Sequence, residues 1–211
     1  QGIALGKWDL QIDYGIKTGN NDAFYLTTEQ RNALIAEDPL CTELLVPLLR
    51  GRYIERYRSA WDGTSMIGTF PALGYIQARL PKPILRHLLF YRETLEPKPR
   101  DWKGTSWNGR KTGSYQWFET QDSISYHHSF RKPKIMYPNM TKFLPFYFDD
   151  RNGYFTNDKG FIITSETQSL PFLTAFLNSS VFRCCFIDNF PNLGEDRREL
   201  RKIFMDKIPI K

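Results

Sequence analysis

The sequence predicts an α+β fold of mixed and antiparallel strands with short flanking helices, and three observations carry that expectation. Phe, Tyr and Trp supply 15% of the 211 residues, and such side chains fit a pleated, half-buried surface. Apolar and polar residues alternate through Trp8, Leu10 and Ile12 and again through Phe24 and Leu26, the period of a strand with one face in a core. Residues 81–95 hold the strongest helical stripe, with Ile84, Leu88, Leu89 and Leu95 directed inward, Pro83 in the first turn, and Arg79, Arg86 and Arg92 left to solvent.

Taken in order, the first feature is the polar glycine loop from Tyr14 to Phe24. Gly15 and Gly19 permit backbone conformations closed to other residues and let a large partner approach the main chain. Lys17 adds a charge, Thr18 a hydroxyl, and Asn20 and Asn21 amides. The loop reads either as a recognition element or as a plain hairpin turn. It is not a P-loop, because Lys17 and Thr18 precede the closing Gly19. Thr27 and Gln30 have capping-box spacing for a short helix that carries Leu34 and Ile35 and stops before Pro39. Thr42 reads as the cap of a turn through Leu44, Leu45, Leu48 and Leu49, limited by Pro47.

A basic stretch follows, with Arg50 and Arg52 around Gly51 and then Arg52, Ile54 and Arg56 in alternation. Alternation would set Arg52 and Arg56 on one face of a strand, as a solvated edge or as anchors for phosphate. Residues 65–70 form a further strand candidate. Beyond the helix, residues 98–117 interleave Lys98, Arg100, Trp102, Lys103, Trp107, Arg110 and Lys111 with glycines and show neither helical nor strand period. A loop of that length inside a compact domain is functional or disordered, and its aromatic residues argue against disorder.

Strands are expected at 134–137, 143–148 and 161–164, with tight turns at Asn152-Gly153 and at 157–160. Asp149, Asp150 and Asn152 lack the terminal Glu of a calcium loop and read as part of a hairpin. Ser169 caps an apolar helix, and the run from Phe204 to Ile210 reads as a closing strand.

A net charge of +6 and a pI near 9.2 suit a polyanion partner. Basic residues concentrate between Lys98 and Lys134 while Asp149-Asp150 and Glu195-Asp196 lie elsewhere, which favours one positive face. Cys41, Cys184 and Cys185 match neither a disulfide framework nor a zinc pattern and read as reduced core thiols of a cytoplasmic protein. No apolar run is long enough to span a bilayer, so no membrane partner is expected. Without a starting Met, the chain reads as a piece of a longer polypeptide.

Several motifs together resemble one family. Tyr14-Gly15-Ile16-Lys17-Thr18-Gly19 followed by Asn21-Asp22-Ala23-Phe24 resembles the opening of the target recognition domain of TaqI-like type IIG restriction-modification enzymes and related adenine-N6 DNA methyltransferases. Leu49-Arg50-Gly51-Arg52 recurs in that family at this distance. Trp107-Asn108-Gly109-Arg110-Lys111, continuing through Tyr115, Trp117, Phe118, Glu119, Gln121 and Asp122, resembles its W-x-G-R-K-x-G-x-Y-x-W-[YF]-E-x-Q-D run. The segment from Phe130 to Pro138 and the Leu173 to Ser179 helix match further motifs in the same order.

The resemblance implies a TaqI-like C-terminal specificity domain over residues 1–211 that clamps double-stranded DNA and selects a short sequence. Its partner would be the methyltransferase domain of the parent chain. It makes Arg50, Arg52 and Arg56 phosphate or structural anchors, and Lys17, Thr18, Asn20, Lys98, Arg100 and Lys103 DNA-contacting residues. Trp107, Tyr115 and Trp117 would pack against sugars or thymine methyls, Arg110 and Lys111 would bind guanine or phosphate, and Glu119 and Gln121 would meet base edges. Residues 71–79 and 183–198 match nothing in the family pattern.

Catalytic motifs of the family are missing from the sequence. There is no Asn-Pro-Pro-Tyr or Asn-Pro-Pro-Phe string and no glycine-rich turn for S-adenosylmethionine, so that cofactor, and any magnesium for cleavage, would belong to the parent enzyme. Glu96-Pro97-Lys98 has the letters of a nuclease E-x-K pair but sits at a helix end with proline inside it. The competing readings are a magnesium-dependent nuclease subunit using Glu96, Lys98 and an Asp that the sequence does not identify, and a protein-interaction domain of a DNA-modification complex. His127-His128 has no carboxylate or cysteine cluster near it in sequence and reads as a surface pair.

Overall fold

A computed structural model describes residues 2–122 and 124–210. The chain folds into two compact units: Gln1–Gly15, Leu49–Asp62 and His128–Lys211 form the first, and Ile16–Leu48 with Gly63–His127 the second. Helices and antiparallel ladders are mixed along the chain, so the α+β expectation holds. Every named ladder is antiparallel, and the parallel contact is the isolated Pro97–Arg110 bridge.

The first unit is built on a four-stranded sheet in the order Tyr147–Asp149, Lys134–Pro138, Gly160–Thr164, Gln11–Tyr14. Its two central strands are buried along their whole length. On one face Ile12, Ile135, Tyr137, Phe161 and Ile163 pack with Leu173, Leu177, Phe182 and Phe186 from the helices Leu170–Leu177 and Ser180–Asn189. Both helices start as the sequence chemistry requires: the Ser169 hydroxyl accepts from the Phe172 amide and the Ser179 hydroxyl from the Phe182 amide. Lys134, at the start of its strand, donates to Asp149 at 2.6 Å with both side chains wholly buried. Asp149 also accepts from the amides of Asn152 and Tyr154, which holds the Asn152-Gly153 turn, where Gly153 has a φ of 62°.

Three expectations for this unit change. The strands at Tyr147–Asp149 and Gly160–Thr164 do not form a hairpin; both pair with Lys134–Pro138, which lies between them. The run to Ile210 is a helical turn, Lys202–Met205, followed by a short strand, Pro209–Ile210, paired with Ile3–Ala4. Cys184 is exposed and Cys185 half-buried, so only Cys41 is a core thiol.

The second unit carries a three-stranded sheet in the order Tyr25–Leu26, Ser65–Ile67, Leu45–Pro47. The glycine loop therefore does not close a hairpin, since the strand before it pairs with Gly160–Thr164 and the strand after it with Ser65–Ile67. Thr27 and Gln30 form the expected capping box on the Thr28–Glu37 helix. Thr42 caps nothing; it lies inside the 3-10 turn Pro39–Leu44, which the Asp38 side chain caps instead. The main helix runs Lys82–Phe90, breaks at Tyr91 and resumes as Arg92–Leu95. Ile84, Leu88 and Leu95 are buried as expected, but Leu89 is exposed. The His87 Nε2 lies 3.0 Å from the Ala23 carbonyl, and burial holds the imidazole below its ordinary pKa against that hydrogen bond. Among the described residues no helix is long and apolar enough to cross a membrane by itself.

Candidate nucleic-acid interface

The predicted loop at residues 98–117 lies within a longer stretch free of helix and strand at residues 97–122, but Arg110 sits at its centre rather than on its surface. Only 3% of Arg110 is exposed. Its Nε donates to the Leu95 carbonyl at 2.8 Å, Nη1 to Thr18 and Glu119 at 2.8 and 2.7 Å, and Nη2 to Gln116 and Trp117 at 3.1 and 2.9 Å. A guanidinium has five N–H donors, and each meets a backbone carbonyl. Its carbon lies 4.4 Å from the centre of the Tyr115 ring. Burial pulls its pKa down to about 10, with Tyr115, Glu119 and Glu96 acting in the opposite direction, so the side chain stays cationic at neutral pH.

That arrangement explains the glycine loop. Gly19 has a φ of 80°, and a Cβ there would meet Arg110 Cδ and Gln121 Oε1 at 2.5 Å. The close partner of this glycine is the chain's own loop. Several residues expected to face DNA are committed to the same structure. The Thr18 hydroxyl donates to Asn21, and Asn20 caps the short helix Asn21–Phe24 and donates to Thr94 at 2.9 Å. Glu119 is buried and accepts from the Gln116 amide at 2.7 Å. Trp117 is buried, donates to Gln77 and lies under Arg92, while the Tyr115 hydroxyl donates to the Lys111 carbonyl. Trp107 is half-buried and donates to the Glu96 carbonyl at 3.1 Å.

For Thr18, Asn20, Arg110, Tyr115, Trp117 and Glu119 the expectation of direct contact gives way to a scaffolding role in this conformation. The physical reason is common to all of them: a loop without regular secondary structure has backbone carbonyls and amides that need partners. Arg100, Lys103 and Lys111 are exposed, and Lys17, Lys98 and Gln121 are partly exposed. These six display charge or amide chemistry on the surface of the second unit.

In the first unit Arg50, Arg52 and Arg56 do not share one strand. Arg52 lies in a 3-10 turn, Gly51–Tyr53, and Arg56 in the tight turn between Ile54–Glu55 and Arg58–Ser59, where Tyr57 has a φ of 64°. Arg50 is paired with Asp62. Arg52 and Arg56 nevertheless line one groove of about 1130 Å³. Lys142, Lys159, Arg183 and Arg198 join them there, none of which sequence reasoning singled out. Their signal was hidden because they come from separate segments and all four lie outside the family-like motifs.

Among the described residues no cluster of metal-binding side chains occurs, and the second unit displays its loop cations at the surface. The chain is a member of the TaqI-like C-terminal specificity domain family, whose model matches residues 46–210. Among solved structures, it is similar to a type IIL restriction-modification enzyme, MmeI, determined in complex with DNA, with a TM-score of 0.59 and 16% identity. The similarity covers 94% of this chain and 25% of that one, so the chain spans about a quarter of the matched enzyme's length. A search of curated proteins gave no match.

Proposed function

We propose that residues 1–211 are the DNA target recognition domain of a type IIG-like restriction-modification enzyme that methylates adenine N6. Membership of a specificity-domain family over residues 46–210 carries this reading, and the DNA-bound state of the similar enzyme supports it. The domain holds duplex DNA and reads a short sequence, while a methyltransferase domain elsewhere in the parent chain supplies S-adenosylmethionine chemistry in the cytoplasm. Cleavage by the parent enzyme would use magnesium outside these residues.

In this reading Lys17, Lys98, Arg100, Lys103 and Lys111 meet phosphate, and the partly exposed Gln121 amide reaches a base edge. The exposed position of the loop cations favours recognition over a nuclease role. Glu96 is paired with Arg92 at 2.7 Å, which opposes its use as a metal ligand.

The test is selection of bound duplexes from a randomised pool at low and moderate salt. Enrichment of a short motif, with affinity falling steeply as salt rises, is the expected result. Binding without enrichment would reduce the domain to an electrostatic clamp. No binding at either salt would favour an interaction domain instead.

A further inference from the structure

The groove of the first unit differs from the other basic regions in how its arginines are held. Arg50, Arg58, Arg86, Arg92, Arg197 and Arg201 each pair with a carboxylate, which cancels their charge locally. Three groove arginines are held by neutral acceptors. Arg56 donates to the Asn178 carbonyl at 2.6 Å, Arg52 to the Tyr53 hydroxyl at 3.0 Å, and Arg198 to the Phe190 carbonyl at 3.0 Å. Each of these contacts restricts a guanidinium without neutralising it and leaves N–H donors over.

The surroundings make these positions rigid. Asn178 is buried, accepts from the Phe146 amide and donates to the Phe146 carbonyl at 2.7 Å, so the carbonyl that holds Arg56 is itself fixed. A Cβ on Gly51 would stand 2.8 Å from the Lys159 carbonyl oxygen, so the turn bearing Arg52 lies directly against the segment bearing Lys159. Lys142 and Arg183 are exposed on the groove and have no ion-pair partner among the described residues. Of the two acidic residues on the wall, Glu55 is already paired with Arg58. Phe143 stands on the same wall with 77% of its surface exposed, an apolar face of the kind that packs against sugar rings.

We propose that this groove is a phosphate clamp, taking successive phosphodiester groups of a DNA backbone without regard to sequence. It rests on the DNA-recognition reading above and extends the Arg52 and Arg56 anchors with Lys142, Lys159, Arg183 and Arg198, which lie outside the family-like motifs. Prearranged cations lower the ordering cost of binding, and a phosphate accepts well from a guanidinium fork.

The experiment compares the 211-residue chain with the Lys142→Gln/Arg183→Gln variant. These two side chains make no hydrogen bond or ion pair among the described residues, and thermal melting checks that the variant remains folded. Binding to the duplex enriched in the selection and to a scrambled duplex is measured over a range of salt concentrations. The expected result is a loss of about tenfold for both duplexes, an unchanged ratio between them, and a slope of log affinity against log salt shallower by about 1.8. Unchanged affinity and slope would overturn the clamp while leaving DNA recognition intact, and a loss confined to the enriched duplex would overturn it in favour of base reading. A wild-type chain that binds neither duplex overturns both readings.

Discussion

Arg110 and Arg56 occupy equally basic stretches of sequence, yet they are used in opposite ways. Arg110 closes every N–H on a carbonyl of its own unit and becomes the hub of a loop that has no sheet or helix to satisfy its backbone. Arg56 donates one hydrogen bond to a fixed carbonyl, lies over the Tyr57 ring and is an exposed residue. Motif membership therefore does not distinguish a reader from a scaffold. The destination of the donors does.

The largest effect is expected at Arg110. Arg110→Ala removes the donor from five carbonyls, four of them in buried contacts, and opens a cavity, and should cost about 4 kcal/mol or more in urea unfolding. Near-ultraviolet circular dichroism of Trp107 and Trp117 should collapse with it. A change that abolished sequence preference while leaving stability intact would return Arg110 to the role of a base reader.

Next in size is the buried pair of the first unit. Lys134→Met strands the Asp149 carboxylate and should destabilise the chain by about 3 kcal/mol. A denaturation midpoint indistinguishable from wild type would show that the two amides on Asp149 suffice.

The His87 imidazole supplies a smaller effect. Its folded pKa lies below 6.5, the ordinary value, because burial penalises the charged form. The unfolded chain thus takes up a proton first as pH falls. Stability from this group is complete above the unfolded pKa and declines as pH drops toward the folded one. His87→Gln should flatten that part of a stability profile, and a profile identical to wild type below pH 6.5 would contradict the assignment.

The smallest expected effect sharpens the contrast from the other side. Lys142→Gln and Arg183→Gln should each alter stability by less than about 0.5 kcal/mol, because neither holds anything in the fold. A loss several times larger at either position would make the groove another scaffold.

Much of the fold was legible in residue order. The Thr27 capping box, the Ser169 cap, Pro83 in a first helical turn and the apolar runs at 134–137 and 161–164 are local signals, and they produced the elements expected of them. Pairing was not legible, because nothing local states that Lys134–Pro138 separates its two neighbours. The candidate site divided along the same line. Trp107, Arg110 and Glu119 stood out by type and spacing, but burial is a long-range property, and the Thr18 carbonyl that Arg110 meets is far away in sequence. The groove cations were missed because each is an unremarkable Lys or Arg until four distant segments converge.

The threading of the two units also has a bearing on synthesis. Among the described residues the strand Gln11–Tyr14 pairs with Gly160–Thr164 alone, and the nearby Asp9 and Ser165 contact spans 156 positions. All of the second unit, up to His127, leaves the ribosome before that partner exists. The second unit can complete its packing while the first few residues are still waiting as an unpaired strand. Slow elongation across residues 128–164 would lengthen that wait, and the exposed edge of the early strand is where misassembly of a nascent chain would begin.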